Sequence, residues 1–395
     1  MSAIHLIRLL VVSVVAVLAL AAGTATAAGP VGPVGPVFST GPSVPLKMRQ
    51  AILADLTGKA TGFAYTIVKG GKLAYHGGVG FARTGPDGSV AMTSSHRVNV
   101  MSVTKPITAV ATHQLLGELG LSVDSPVAPW LPPSFPLGDG FDTVTFRQLL
   151  NHTSGVNQLF ASLSDAEQDQ WGNDWDGLKF VVSNEITPGS TSSYKNANYA
   201  LLRLAIPALW KATGNHPGIA QITKSSVGIW YLAYVQQRIF VPSGVNAVTC
   251  TESKPATAAL FYDATNPAAG GVLSHIAVGP LDGCGGHANL RLSALDLARF
   301  MAYLTHGKLL NAAGTTLMDT GKLGWQQNSN PGTAPGVYWH GGDGFWTSGG
   351  TKREVHTCVM KFPNDIQATL VINSTNLSGT TQCGVLLNAY KDATS

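Results

Sequence analysis

Large apolar side chains recur at every second position from Phe63 through Tyr65 to Ile67, so residues 63–68 read as a strand. Lys69-Gly70-Gly71-Lys72 turns the chain into a second strand, residues 73–76, which residues 77–81 extend. The strand pattern returns near the other end, at 337–340, 353–361 and 367–373. Between these ends a helical spacing takes over. Ile107, Val110, Ala111 and Leu115 share one face, and Gly120 closes that helix. Thr145 caps a short helix through Leu150, and residues 165–240 read as mostly helical around a loop at 187–193. Residues 290–304, with Ser293 near the start, form another amphipathic segment. Terminal helices are expected at 46–56 and 383–390, and Pro126, Pro129, Pro132, Pro133 and Pro136 enforce a loop. Strands at both ends with helices between predict an α+β (α/β) fold. One antiparallel sheet is built from both ends of the chain, flanked by the terminal helices, with a helical lobe inserted.

The N-terminus follows a different pattern. His5 and Arg8 precede an apolar run at residues 9–22, and Ala25-Thr26-Ala27 offers a small-residue cleavage site. Residues 1–27 therefore read as an export signal, too short to span a bilayer comfortably. Gly-Pro-Val follows three times from Gly29, an extended linker placed at 28–45. Residues 46–395 then form one domain, expected in the cell envelope or outside the cell as a monomer without a stable membrane anchor.

Composition narrows the function classes. Of the 395 residues 45% are hydrophobic and only 12% charged, which argues for a large packed core. The net charge of +4 is spread without basic clusters, so nucleic-acid binding has no electrostatic footprint. The four cysteines, Cys250, Cys284, Cys358 and Cys383, are an even set in an exported chain and predict disulfides. Three pairings exist on paper; Cys250–Cys284 and Cys358–Cys383 are preferred because each closes a local loop. No zinc-knuckle spacing and no His-x-x-x-His appears, so neither metal nor cofactor is expected.

Three stretches carry candidate chemistry. Ser102-Val103-Thr104-Lys105 places a hydroxyl and an amine one helical turn apart. A serine needs a proton acceptor to act as nucleophile, and a buried lysine at a helix start can serve. Tyr194-Lys195-Asn196 lies in a polar loop before a helix. Its tyrosine can relay a proton, and Asn196 can meet a substrate carbonyl or hold the lysine. His340-Gly341-Gly342-Asp343 ends a strand in glycines that let backbone N–H groups approach a ligand, as half of an oxyanion hole requires. Alone, each fits an ordinary cap, a half-buried tyrosine or a turn. Together, in this order, they are far more specific.

The three stretches resemble the motifs of the serine β-lactamase and penicillin-binding-protein superfamily. The similarity lies in the branch shared by class C β-lactamases, D-alanyl-D-alanine carboxypeptidases and related carboxylesterases. Ser102 to Lys105 looks like its Ser-x-x-Lys, Tyr194 to Asn196 like its Tyr-x-Asn, and His340 to Gly342 like its third motif, Lys-Thr-Gly or His-x-Gly. Leu149 to Gly155, Gly285-Gly286 and Asp296 to Phe300 resemble further landmarks, and the likeness runs from about Leu46 to Tyr390. It implies a β-lactamase/transpeptidase-like fold with the site in a cleft between sheet and helical lobe. It also implies an acyl-serine mechanism: Ser102 as nucleophile, Lys105 and Tyr194 sharing the base role, N–H groups of Ser102 and Asp343 on the oxyanion, and Asn196 and His340 positioning substrate. No Gly-x-Ser-x-Gly elbow offers another route.

Two departures bear on substrate. Lys195 stands where a small residue is usual, and His340-Gly341 replaces the Lys-Thr that would meet a substrate carboxylate. Small neutral esters are therefore expected over β-lactams or D-Ala-D-Ala peptides. A D-alanyl-D-alanine carboxypeptidase or β-lactam-hydrolysing enzyme is the alternative, and a silent binding protein a more distant one. Asp343 poses a problem, since a carboxylate near a developing anion is unfavourable unless it points away.

Overall fold

The computed structural model describes residues 43–395 except 161–173, 190, 253–255, 274–280, 327–333 and 375–376. The expected signal at 1–27, nearly all of the linker at 28–45 and the start of the helical stretch at 165–173 lie outside the described residues. All described residues belong to one unit, Val34–Ser395.

Helix α1 (Val44–Leu56) starts at Ser43, whose hydroxyl accepts the Leu46 N–H, and buries Met48, Ile52 and Leu56, one turn apart. Strands β1 (Gly62–Lys69) and β2 (Lys72–Arg83) form the expected hairpin, and β3 (Val90–Ala91) extends it. After β4 (Val98–Asn99) comes α2 (Thr104–Glu118), then α3 (Phe146–Leu150), α4 (Trp175–Val182), α5 (Asn196–Ala212) and α6 (Val227–Val235). Strand β5 (Arg291–Leu292) precedes α7 (Ala294–Thr305) and α8 (Ala312–Thr320). The chain ends with β6 (Tyr338–Ser348), β7 (Thr351–Phe362), β8 (Ile366–Ile372) and α9 (Gln382–Thr394).

The sheet order is β3-β2-β1-β8-β7-β6, so the first hairpin and the last three strands join through the antiparallel pair β1–β8. Its outer face buries Phe63, Tyr65, Ile67, Leu370 and Ile372 under α1 and α9. Each such side chain is worth about 1.5–3 kcal/mol when fully buried. The larger core lies in the helical lobe, around α2, α5 and α6.

Three elements differ from expectation. Residues 290–292 are not helical: β5 pairs with β4, and the helix starts only after Ser293. There the Ser293 hydroxyl accepts the Asp296 N–H and the Asp296 carboxylate accepts the Ser293 N–H, a reciprocal cap that sets the start. Helix α8 has no counterpart in the sequence reading, because only Met318 and Asp319 in it are buried. Strand β6 runs to Ser348, well past the glycines, since pairing with β7 supplies hydrogen bonds without an apolar pattern.

Candidate active site

Ser102 sits in a 3₁₀ turn, Met101–Val103, directly before α2. Met101 has φ +50°, a left-handed conformation unusual for a side-chain-bearing residue, and its N–H is held by Asn99 Oδ1 at 2.9 Å. The turn therefore presents Ser102 off the helix end, where the sequence pattern alone suggested a helix start.

Lys105 has no solvent exposure. Its Nζ donates to Ser102 Oγ at 2.9 Å, Asn196 Oδ1 at 2.8 Å and the His287 carbonyl at 2.9 Å. It also stands 4.7 Å from the ring centroid of Tyr194, and Tyr194 Oη donates to Ser102 Oγ at 2.8 Å. Three segments far apart in sequence thus meet around Lys105 Nζ, and two of them reach the Ser102 oxygen. Once either neighbour has given up a proton, such an arrangement can pass the serine proton to it and back.

His152 supports this group from below. Its ring lies 4.6 Å from that of Tyr194 and 5.3 Å from that of Tyr199. Its Nδ1 accepts from the Lys195 N–H at 3.3 Å and the Asn198 amide at 3.1 Å. Burial, then the charge on Lys105, holds its pKa well below the ordinary imidazole value, so the ring is neutral. His287 is likewise held low by burial, then by Arg203 and Lys105. The sequence reading noted Leu149 to Gly155 and Gly285-Gly286 only as landmarks; it did not foresee His152 under Tyr194 or the His287 carbonyl on Lys105.

Strand β6 crosses the nucleophile turn at Gly342. A Cβ there would overlap the Val100 carbonyl, lie 2.5 Å from Thr357 Oγ1 and 3.0 Å from the Ser102 nitrogen, so only glycine permits this approach. Strand alternation then sends the Asp343 side chain to the opposite face of the sheet. There its Oδ1 accepts from His356 Nδ1 at 2.7 Å and Gln382 Nε2 at 3.0 Å. The carboxylate points away from the nucleophile, which removes the electrostatic objection.

The backbone of β6 shows which groups face the open edge. Gln326 Oε1 takes the Gly341 N–H at 3.1 Å, and the Gln326 N–H donates to the Trp339 carbonyl at 2.8 Å. Residues 339 and 341 therefore turn outward from β7, and Asp343 is next in that series. His340 is 2% exposed, its ring 6.2 Å from that of Tyr194. Burial, then the Lys105 charge, lowers its pKa to about 3.

The cysteines pair as Cys250–Cys284 and Cys358–Cys383, each in a local loop. The second bond stands behind the third motif: a Cβ on Gly341 would lie 3.3 Å from Cys383 Sγ. Among the described residues no cluster could hold a metal ion, and no helix is long and apolar enough to cross a membrane.

Comparisons with known proteins bear on the family and the fold. A family model described as Beta-lactamase matches residues 48–378. A penicillin-binding protein of Bacillus subtilis (strain 168) is 28% identical over 192 residues, 45% of this chain and 35% of that protein. Esterase EstB of Burkholderia gladioli is 41% identical over 73 residues, 18% of this chain and 19% of that one. The match thus spans about a third or less of these curated relatives. A solved penicillin binding protein from Bacillus halodurans superposes with a TM-score of 0.62 at 22% identity, covering 87% of this chain and 99% of that one. At that identity the likeness establishes the fold.

Proposed function

Since the chain belongs to the Beta-lactamase family, we propose that it is a serine hydrolase working through an acyl-serine intermediate, most effective on small neutral esters. The observation that carries the reading is the pair of hydrogen bonds, from Lys105 Nζ and Tyr194 Oη, on Ser102 Oγ. Once Lys105 or Tyr194 has lost one of the protons it donates here, Ser102 attacks the carbonyl carbon and its proton passes to that vacated position on the pair. The oxyanion is met by the N–H groups of Ser102 and Asp343. Tyr194 returns the proton to the leaving group, and water then releases the acid by the same groups in reverse. Asn196 holds Lys105 and reaches the substrate carbonyl; His340, Gly341 and Gly342 line the substrate edge.

The ester preference rests on the neutral His340 and on the lack of a hydroxyl at Gly341. The named relatives include both an esterase and a penicillin-binding protein, so D,D-peptidase activity is the second reading. We assign residues 1–27 to a signal peptide, 28–45 to a linker and 46–395 to the hydrolase domain, and place the protein outside the cytoplasm as a monomer.

The test compares kcat/KM for p-nitrophenyl butyrate and for an acyl-D-Ala-D-Ala peptide, in wild type and Ser102→Ala. Ester turnover should exceed peptide turnover, and Ser102→Ala should lose on the order of a million-fold. A peptide preference favours the second reading. Near-normal activity in folded Ser102→Ala refutes both.

A further inference from the structure

The subsite around His340 has an unusual hydrogen-bond inventory. A carbonyl oxygen only accepts, so the 2.6 Å contact between His340 Nδ1 and the Gly341 carbonyl fixes the proton on Nδ1. Nε2 is then a bare lone pair, because the buried ring is neutral. The neighbouring donors are engaged as well. The Gly341 N–H is taken by Gln326, and the three N–H bonds of Lys105 go to Ser102, Asn196 and His287. Two residues along the strand from Gly342, His340 shares the nucleophile's face of the sheet, and its ring neighbours that of Tyr194. Tyr194 hands the proton back to the leaving group, so the leaving group is what lies beside His340.

We propose that His340 Nε2 is a hydrogen-bond acceptor for the leaving group. The site then selects neutral leaving groups that carry a carboxamide or hydroxyl donor and discriminates against those that carry a carboxylate. This rests on the serine-hydrolase reading above. A carboxylate placed here meets that lone pair, while the Gly341 N–H and the Lys105 N–H groups beside it are already bonded. A carboxamide donates to that lone pair, and a site built to receive a donor rejects a partner that lacks one.

The test uses the butyrate esters of 3-hydroxybenzamide and 3-hydroxybenzoic acid, with each kcat/KM normalised to spontaneous hydrolysis. Wild type should favour the benzamide ester about tenfold or more. His340→Lys, which replaces an acceptor by donors, should reverse that ratio. A wild-type preference for the benzoate ester, or a ratio unchanged in folded His340→Lys, overturns the proposal. Nitrogen NMR of the labelled imidazole gives a readout that needs no variant: protonated Nδ1 with bare Nε2 supports it, and protonated Nε2 overturns it. If neither ester is hydrolysed, the esterase reading fails on its own. The present inference is then decided by binding to Ser102→Ala, where 3-hydroxybenzamide should bind more tightly than 3-hydroxybenzoate and the opposite order refutes it.

Discussion

At the scale of single residues, the site is a shared-proton arrangement. Lys105 and Tyr194 both reach Ser102 Oγ, so neither owns the proton. Groups that act as a unit give non-additive losses. Lys105→Ala and Tyr194→Phe should each reduce kcat severely, and the double variant should be little worse than the worse single one. Rate losses that multiply in a pre-steady-state comparison of the three variants would show independent roles. Gly342 makes a different residue-scale prediction. Its missing Cβ is what lets β6 pass over the Ser102 nitrogen. Gly342→Ala must push backbone against backbone, and displacements of about 1 Å in an active site cost roughly a hundredfold. We expect that loss in kcat/KM with a circular dichroism spectrum unchanged; full activity would mean that the approach is not needed.

At the scale of elements, β6 and β7 couple the third motif to a charge cluster on the outer face. His356 on β7 faces Asp343 on β6 and Glu354 on its own strand, Gln382 on α9 donates to the same Asp343 carboxylate, and Lys352 pairs with Glu354. Burial opposes a charge on His356, but the hydrogen bond to Asp343 and the Glu354 carboxylate 3.6 Å from Nε2 outweigh it and raise its pKa to about 9. The folded-state pKa lies above the ordinary value of 6.5. The stabilisation is therefore complete below about pH 6.5 and is lost as pH rises through about 9. The gap in Tm between wild type and His356→Gln should accordingly be widest near pH 6 and shrink toward pH 10. A constant gap across that range would remove the imidazolium from the account. The same strands explain a miss in the sequence reading. Residues 344–348 carry no burial pattern, yet β6 continues through them because β7 opposes each one in register.

At the scale of the whole molecule, the chain closes its sheet through contacts between its two ends. Strand β1 meets β8, and α1 meets α9 across the outer layer. The Cys358–Cys383 bond ties α9 to β7 behind Gly341, across a sequence separation of 25. Closing a loop of that size is worth about 3.5 kcal/mol in the chain-entropy account. Replacing both cysteines by alanine should lower Tm by several degrees and also reduce kcat/KM, since the bond abuts the third motif. Removing Cys250 and Cys284 should lower Tm with a smaller effect on turnover. Equal effects of both pairs on catalysis, in thermal melts and ester assays, would argue against a special role for the first.

What was legible from the sequence alone was local. The hairpin at β1–β2, the capped helix at α3, the disulfide partners and the three chemistry-bearing stretches all follow from short-range spacing, which reports backbone periodicity and side-chain type directly. The Ser102–Lys105 contact belongs to the same class, because the two residues lie one turn apart. Tertiary structure decided which distant groups meet them. His152 comes to lie under Tyr194, the His287 carbonyl caps Lys105 from 182 positions away, and His356 on the neighbouring strand meets the Asp343 carboxylate. No periodicity encodes such meetings. They arise because burying both faces of one sheet brings remote segments to within hydrogen-bond distance, and burial then sets which of their protons stay on.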